Sequence, residues 1–247
     1  MGSIEVFPRK RNAPKLSEAW RSAPLRGSGA VKVRPTNLED YAAIRALQRS
    51  TQPGLGCTLK QFESQRLAFR EGQLVAECDG EVVGAASSLI VQWDDFTHDH
   101  TWQAITGEGY FSTHDMQGRT LYGAETLVDV SRHGFSAGRA LHAARRKLCR
   151  KLNLRRIIGT ARLPGYNAVC TTMSPQEYAQ RVIWGDIDDP MLRFQMAQGY
   201  HFCGILEDYL PADVESAGHA ALIVWLNPLF APPGPPAFET ERPRKCA

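Results

Sequence analysis

The sequence predicts an α/β fold of the α+β kind, with a mixed, mostly antiparallel central sheet of about six to seven strands flanked by helices. Three observations carry that reading. Leu74–Cys78 and Val82–Ala86 are short apolar runs on either side of Asp79-Gly80, a dipeptide suited to the positive φ values of a two-residue hairpin. Thr126–Val130 reads as a strand that passes through a turn, His133–Gly138, into a helical pattern from Arg139 to Leu152, which makes one crossover at the centre. Two further apolar runs, near Tyr200–Leu206 and Ala220–Leu226, close the chain as strands.

The remaining elements follow from spacing and caps. Val31–Arg34 is a short strand ended by Pro35, and Thr36 or Asn37 caps a helix with Leu38, Tyr41, Ile44 and Leu47 on one face. A second helix starts at Thr58 and carries Phe62, Leu67 and Phe69. Residues 93–120 hold Trp93, His98, His100, Trp102, Tyr110, Phe111 and His114 without a regular period, so this stretch is expected to be functional or partner-facing. The central helix places Leu141, Ala144, Leu148 and Leu152 on one face, and Arg156–Thr160 is the next strand. Ser174-Pro175 and Asp189-Pro190 each open a helix with a cap and an N1 proline, the second stopped by Gly199. Residues 1–30 read as a poorly ordered arm, 31–228 as the folded domain, and the proline-rich 229–247 as a tail.

The 247 residues, 43% hydrophobic and 22% charged, suffice for a sizeable core. A net charge of +3 argues for neither nucleic acid nor membrane as a partner. The six cysteines show no CxxC spacing and read as reduced thiols. No apolar run nears the ~20 residues of a membrane helix, and the N-terminus lacks the apolar core of a signal peptide. The expected location is the cytoplasm. His98, His100 and His114 lack diagnostic ligand spacing, so no metal site is expected.

The segment 126–152 carries the chemistry. A glycine-bearing turn at the start of a helix exposes unpaired first-turn N–H groups and the positive end of the helix dipole, and Arg139 adds a cation there. Such a site suits the pyrophosphate of coenzyme A, with the preceding strand edge free to pair with pantetheine amides. Arg145, Arg146, Lys147, Arg150 and Lys151 read mainly as the solvated face of the same helix.

Val128-Asp-Val-Ser-Arg-His-Gly-Phe-Ser-Ala-Gly-Arg-Ala-Leu141 resembles the acetyl-CoA motif of the GNAT superfamily, Val-x-Pro-x-x-Arg-Gly-x-Gly-x-Gly-x-x-Leu. Val130 stands in place of the proline, His133 of the Arg, and Ser136 of the middle glycine, while Gly134 and Gly138 are kept. Further runs resemble the GNAT domains fused to nitrilase-like carbon–nitrogen hydrolases in bacteria. They are Thr113-His114-Asp115, Leu121-Tyr-Gly-Ala-Glu125, Leu152-Asn-Leu-Arg-Arg-Ile-Ile158, Arg162-Leu-Pro-Gly-Tyr166, Met173-Ser-Pro-Gln-Glu-Tyr178, Asp189-Pro190, Phe194-Gln195 and Gly218-His-Ala-Ala-Leu-Ile-Val-Trp-Leu-Asn-Pro228.

The resemblance implies an acyl-CoA-dependent N-acyltransferase, with acetyl-CoA or another acyl-CoA as co-substrate and a small-molecule or protein amine as acceptor. It implies coenzyme contacts from Leu127, Val128, Val130, His133, Gly134, Phe135, Ser136, Ala137, Gly138 and Arg139. Glu125 is the first candidate for general base, ahead of Asp129. The tyrosine that usually serves as acid is matched by Gln195, which cannot give up a proton, so Tyr166 is the candidate in its stead. These departures leave a non-catalytic acyl-CoA-sensing or partner-binding module as the alternative. A nitrilase-like hydrolase acting in trans and a second copy in a homodimer are the partners to be tested.

Overall fold

The computed structural model describes residues 30–52, 55–96, 100–129 and 135–232. Seven strands form one sheet: β1 (Lys32–Pro35), β2 (Leu74–Cys78), β3 (Glu81–Val91), β4 (Thr120–Val128), β5 (Arg156–Arg162), β6 (His201–Leu206) and β7 (Ala220–Leu226). Their order across the sheet is β1-β2-β3-β4-β5-β7-β6. Neighbours are antiparallel except β4 and β5, which the crossover makes parallel. The helices are α1 (Tyr41–Thr51), α2 (Leu59–Ala68), α3 (Trp102–Thr106), α4 (Ser136–Lys151), α5 (Pro175–Trp184) and α6 (Pro190–Ala197).

Strand alternation sends neighbouring residues to opposite faces, and the helices divide accordingly. Ile44, Leu47 and Phe62 of α1 and α2 pack on Val75, Ala85 and Leu127, while Ile105 of α3 joins Leu89, Tyr122 and Ile158. On the other face Ala137 and Leu141 of α4 meet Leu74, Ala76 and Ala86. Farther along that face, Cys149, Val182 and Leu192 join Leu121, Ile157 and Ile223. Asp189 is the pin of α6. Its buried carboxylate accepts N–H bonds from Met191 and Leu192 at 3.0 and 3.1 Å and the Tyr178 hydroxyl at 2.9 Å. Asp189→Ala is expected to cost about 2–4 kcal/mol in urea unfolding, since a cap and a buried hydroxyl lose their acceptor together.

Several expectations are corrected. The central strand begins at Thr120 rather than Thr126, because its first half pairs with Leu89–Val91 of β3 and holds the buried Leu121 and Tyr122. Residues 93–120 are less irregular than their composition suggests. Trp93–Asp95 forms a 3₁₀ turn, and α3 is capped by the Thr101 hydroxyl, 3.1 Å from the Ala104 N–H. A five-residue helix is too short to show a period. Leu67 does not join the inner face of α2 and is 90% exposed, and Phe69 lies beyond the helix end, where it is buried.

One irregularity positions the site. β3 and β4 pair Ser87 with Glu125 and Ser88 with Gly123, so Ala124 is an extra residue, a β-bulge. The β4–β5 ladder closes at Gly123↔Gly159. Beyond it β4 continues along β3 to Val128 and β5 along β7 to Arg162, without pairing to each other. The sheet is split there, and the split opens a cavity.

Candidate active site

A cavity of about 330 Å³ lies at the split and is lined from both faces of the sheet. Glu125, Gln48, Cys57, Trp102 and Tyr209 come from the α1–α3 face, and His142, Arg145, Gln195 and Tyr200 from the α4–α6 face.

The bulge decides where Glu125 points. Ala124 packs with the α3 cluster, and the extra residue lets Glu125 follow it to the same side, where the Gln48 amide donates to both carboxylate oxygens at 3.2 and 3.1 Å. Thr126 then returns to the opposite side, against Arg145. Protein encloses the Glu125 carboxyl except toward the cavity, and burial raises it to about 7, the Gln48 hydrogen bond and the charge of Arg45 opposing the rise. A carboxyl so tuned exchanges a proton readily near neutrality. Gln48 is itself held, its carbonyl oxygen accepting from Arg45 at 2.8 Å and from the Cys57 N–H at 3.2 Å.

Arg145 fixes the bulge from the other side. It donates to Ser88 Oγ at 2.9 Å, Thr126 Oγ1 at 3.1 Å, and the carbonyls of Ser87 and Glu125 at 3.2 and 2.8 Å. Gly123 has no side chain to obstruct it: a Cβ there would stand 3.1 Å from Arg145 Nη1. The guanidinium is buried and burial lowers its pKa. The expectation of a solvated Arg145 is therefore corrected. The residue follows Leu141 by four and precedes Leu148 by three, so it lies on the apolar stripe, which was the available signal. Above the split, the Trp102 indole N–H donates to the carbonyl of Ala124 at 3.1 Å.

The expected coenzyme residues fall as follows. Leu127 and Val128 continue β4 beyond the split, their side chains packed to opposite faces. Phe135 stacks on Phe194 at 4.9 Å and its carbonyl accepts the Arg139 N–H. Ser136, Ala137 and Gly138 form the first turn of α4, with Ala137 and Gly138 buried and Arg139 exposed. Val130, His133 and Gly134 lie outside the described residues. Asp129 follows β4 directly, with its N–H on the Val83 carbonyl, and is not a cavity residue.

Tyr166 is placed away from the cavity. Its ring is in the core beside Tyr178 and its hydroxyl donates to the Met173 carbonyl at 3.1 Å. Sequence reasoning missed two tyrosines that line the cavity, Tyr209 and Tyr200. The Tyr209 hydroxyl is 2.7 Å from that of Tyr122, and burial pushes it up to about 12. Of the other aromatic residues in 93–120, Trp102 reaches the cavity, Phe111 is core and Tyr110 is exposed. His114 accepts the Ile90 N–H at 3.0 Å. Among the described residues no group of three metal-ligating side chains converges, and no helix is long and apolar enough to cross a membrane.

No family model matches the chain. Among curated proteins of Bacillus subtilis (strain 168), it is 35% identical over 201 residues to the probable hydrolase YhcX, covering 81% of this chain and 39% of that protein. It is 30% identical over 170 residues to the uncharacterized N-acetyltransferase YkwB, covering 69% of this chain and 75% of YkwB. The solved GphF GNAT-like decarboxylase in complex with isobutyryl-CoA superposes with a TM-score of 0.65 at 21% identity, over 79% of this chain and 99% of GphF. The chain belongs to the GNAT acetyltransferase superfamily. Its split between β4 and β5 and the single crossover into α4 are the GNAT fold, in which seven strands carry helices on both faces. The chain spans about 39% of YhcX, so what the rest of that protein does is not carried across.

Proposed function

We propose that this GNAT protein transfers an acyl group, acetyl being the first candidate, from coenzyme A to an amine. The observation that carries the reading is the enclosed carboxyl of Glu125, poised near 7 at the point where the sheet splits. In the proposal acyl-CoA lies along β4 beyond Gly123, where the main chain has no partner on β5, with its phosphates at the first turn of α4 near Arg139. The amine enters from the α1–α3 face. Glu125 takes a proton from it, directly or through water, the amine attacks the thioester carbonyl, and the C–S bond breaks with the electron pair passing to sulfur. Of the two cavity tyrosines, Tyr209 shares the α1–α3 face with Glu125 and is the candidate to return a proton, a role the sequence assigned to Tyr166.

The test is isothermal titration with acetyl-CoA and longer acyl-CoAs, followed by thiol release with a panel of primary amines. Saturable binding is expected, weakened at least tenfold in the Gly138→Asp, Arg139→Ala double variant, because a carboxylate then faces the phosphates at a crowded helix start. A Cβ at Gly138 already stands 3.0 Å from the Phe194 ring. Binding without thiol release toward any amine would favour the sensing module, and no binding would favour a partner-binding module. The proposed partners are separate questions: pull-down with a nitrilase-like hydrolase tests the first, and sedimentation the homodimer.

A further inference from the structure

Three polar atoms of cavity-lining residues have no hydrogen-bond partner among the described residues: His142 Nε2 and Gln195 Oε1 in the α4–α6 wall, and His219 Nδ1 just before β7. His142 is 2% exposed and Gln195 8%. Buried polar atoms without partners cost stability and are rare, so two in one wall call for an explanation.

The neighbours of His142 define what it offers. The Arg145 guanidinium faces the Tyr200 hydroxyl closely enough for its charge to act on it, and a guanidinium only donates, so the hydroxyl turns its oxygen to the cation. The Tyr200 O–H then has His142 Nδ1, 3.3 Å away, as its acceptor. That assignment puts the ring proton on Nε2. Burial, with the charges of Arg145 and Arg146, holds the imidazole at about 3, so at neutral pH it is uncharged. The ring is fixed between Phe194 and Tyr200, with centroids 5.7 and 5.4 Å away. The wall therefore presents a rigid N–H donor and, on α6, an amide oxygen acceptor.

Resting on the coenzyme reading above, we propose that His142 is a further catalytic residue, its Nε2–H donating a hydrogen bond to the coenzyme sulfur as the thiolate departs, with Gln195 Oε1 accepting the neighbouring pantetheine amide N–H. Coenzyme A carries both complements close together: a sulfur that gathers negative charge and, one ethylene link away, an amide N–H. His142 lies one helical turn before Arg145, which underlies Gly123 at the split, and so sits beneath the gap between β4 and β5. No proton leaves the imidazole. A neutral N–H aimed at developing charge in a site that excludes water stabilises it without reorganisation.

The test compares wild type, His142→Phe and His142→Gln; glutamine keeps an N–H donor near the position of Nε2. In His142→Phe, kcat with acetyl-CoA is expected to fall 10- to 100-fold with KM for acetyl-CoA within about threefold, and His142→Gln is expected to recover at least a third of the lost factor on a logarithmic scale. Calorimetry with coenzyme A and desulfo-coenzyme A reads the contact directly. Wild type should prefer the thiol at least fivefold at pH 9, where it ionises, and His142→Phe should show no preference. Equal loss in the Phe and Gln variants, or a sulfur preference that survives in His142→Phe, would overturn the assignment while leaving the transferase reading intact. Failure of wild type to bind either form would overturn both.

Discussion

Glu125→Gln is expected to lower kcat by 10²- to 10⁴-fold and, at the same time, to make the protein more stable above neutral pH. The first effect is the loss of the proposed general base. The second follows from linkage. Burial raises the carboxyl from 4.5 to about 7 in the folded chain, so it is protonated in both folded and unfolded states at low pH. Between about pH 4.5 and 7 the unfolded state loses this proton more readily, and stability falls as pH rises. Above about pH 7 the folded state carries an ionised carboxylate that the unfolded chain accommodates better. Glutamine removes that burden. With the carboxyl still open to the cavity, the gain is on the order of 2 kcal/mol at pH 8 and vanishes near pH 4. Urea titrations of both proteins at pH 4, 6 and 8 read it. Activity lost without that pH-dependent gain would mean that Glu125 is not the raised group. The acid limb of kcat/KM near pH 7 should vanish in the variant as well.

Arg145→Met is expected to destabilise the protein by at least 3 kcal/mol, the largest stability effect in the site. Methionine fills comparable volume but abandons four acceptors, the Ser88 and Thr126 hydroxyls and the carbonyls of Ser87 and Glu125. Hydroxyls can turn to other partners, whereas the two part-buried carbonyls lose a charged donor at about 1–3 kcal/mol each. Arg145→Lys should recover little, because a single ammonium cannot span the planar fork that reaches across β3 and β4. Denaturation curves decide this; a loss under 1 kcal/mol in the methionine variant would show that the bulge holds its shape without the guanidinium.

Much of the sheet was legible because its signals are local. Asp79-Gly80 forms the turn between β2 and β3, and Asp79 and Gly80 both adopt positive φ. Ser174 and Asp189 cap α5 and α6 through their side chains as the sequence indicated. The site was legible in part. Glu125 lies in the cavity, but the residue that orients it, Gln48, stands 77 positions earlier, and nothing in the local pattern joins the two. The bulge at Ala124 had no marker either, since neither Gly nor Pro occupies it. Tyr166 and Tyr209 could not be ranked from sequence: each stands in a turn-rich stretch, and only packing sends one hydroxyl to the Met173 carbonyl and the other to the cavity.

The bulge makes the chemistry of this strand a matter of parity. Counting along β4, every residue after Ala124 faces the side that an unbroken alternation would deny it. One extra residue in β3 between Ser87 and Ser88 would give Ala124 a partner, restore that alternation and swing Glu125 toward Arg145, where carboxylate and guanidinium would pair. The same acidic residue would then titrate well below 4.5 and be useless as a base near neutrality. One codon's worth of length, with every side chain of the site retained, separates a catalytic strand from an inert one. Relatives that differ by that one β3 residue would look alike in composition and differ in chemistry.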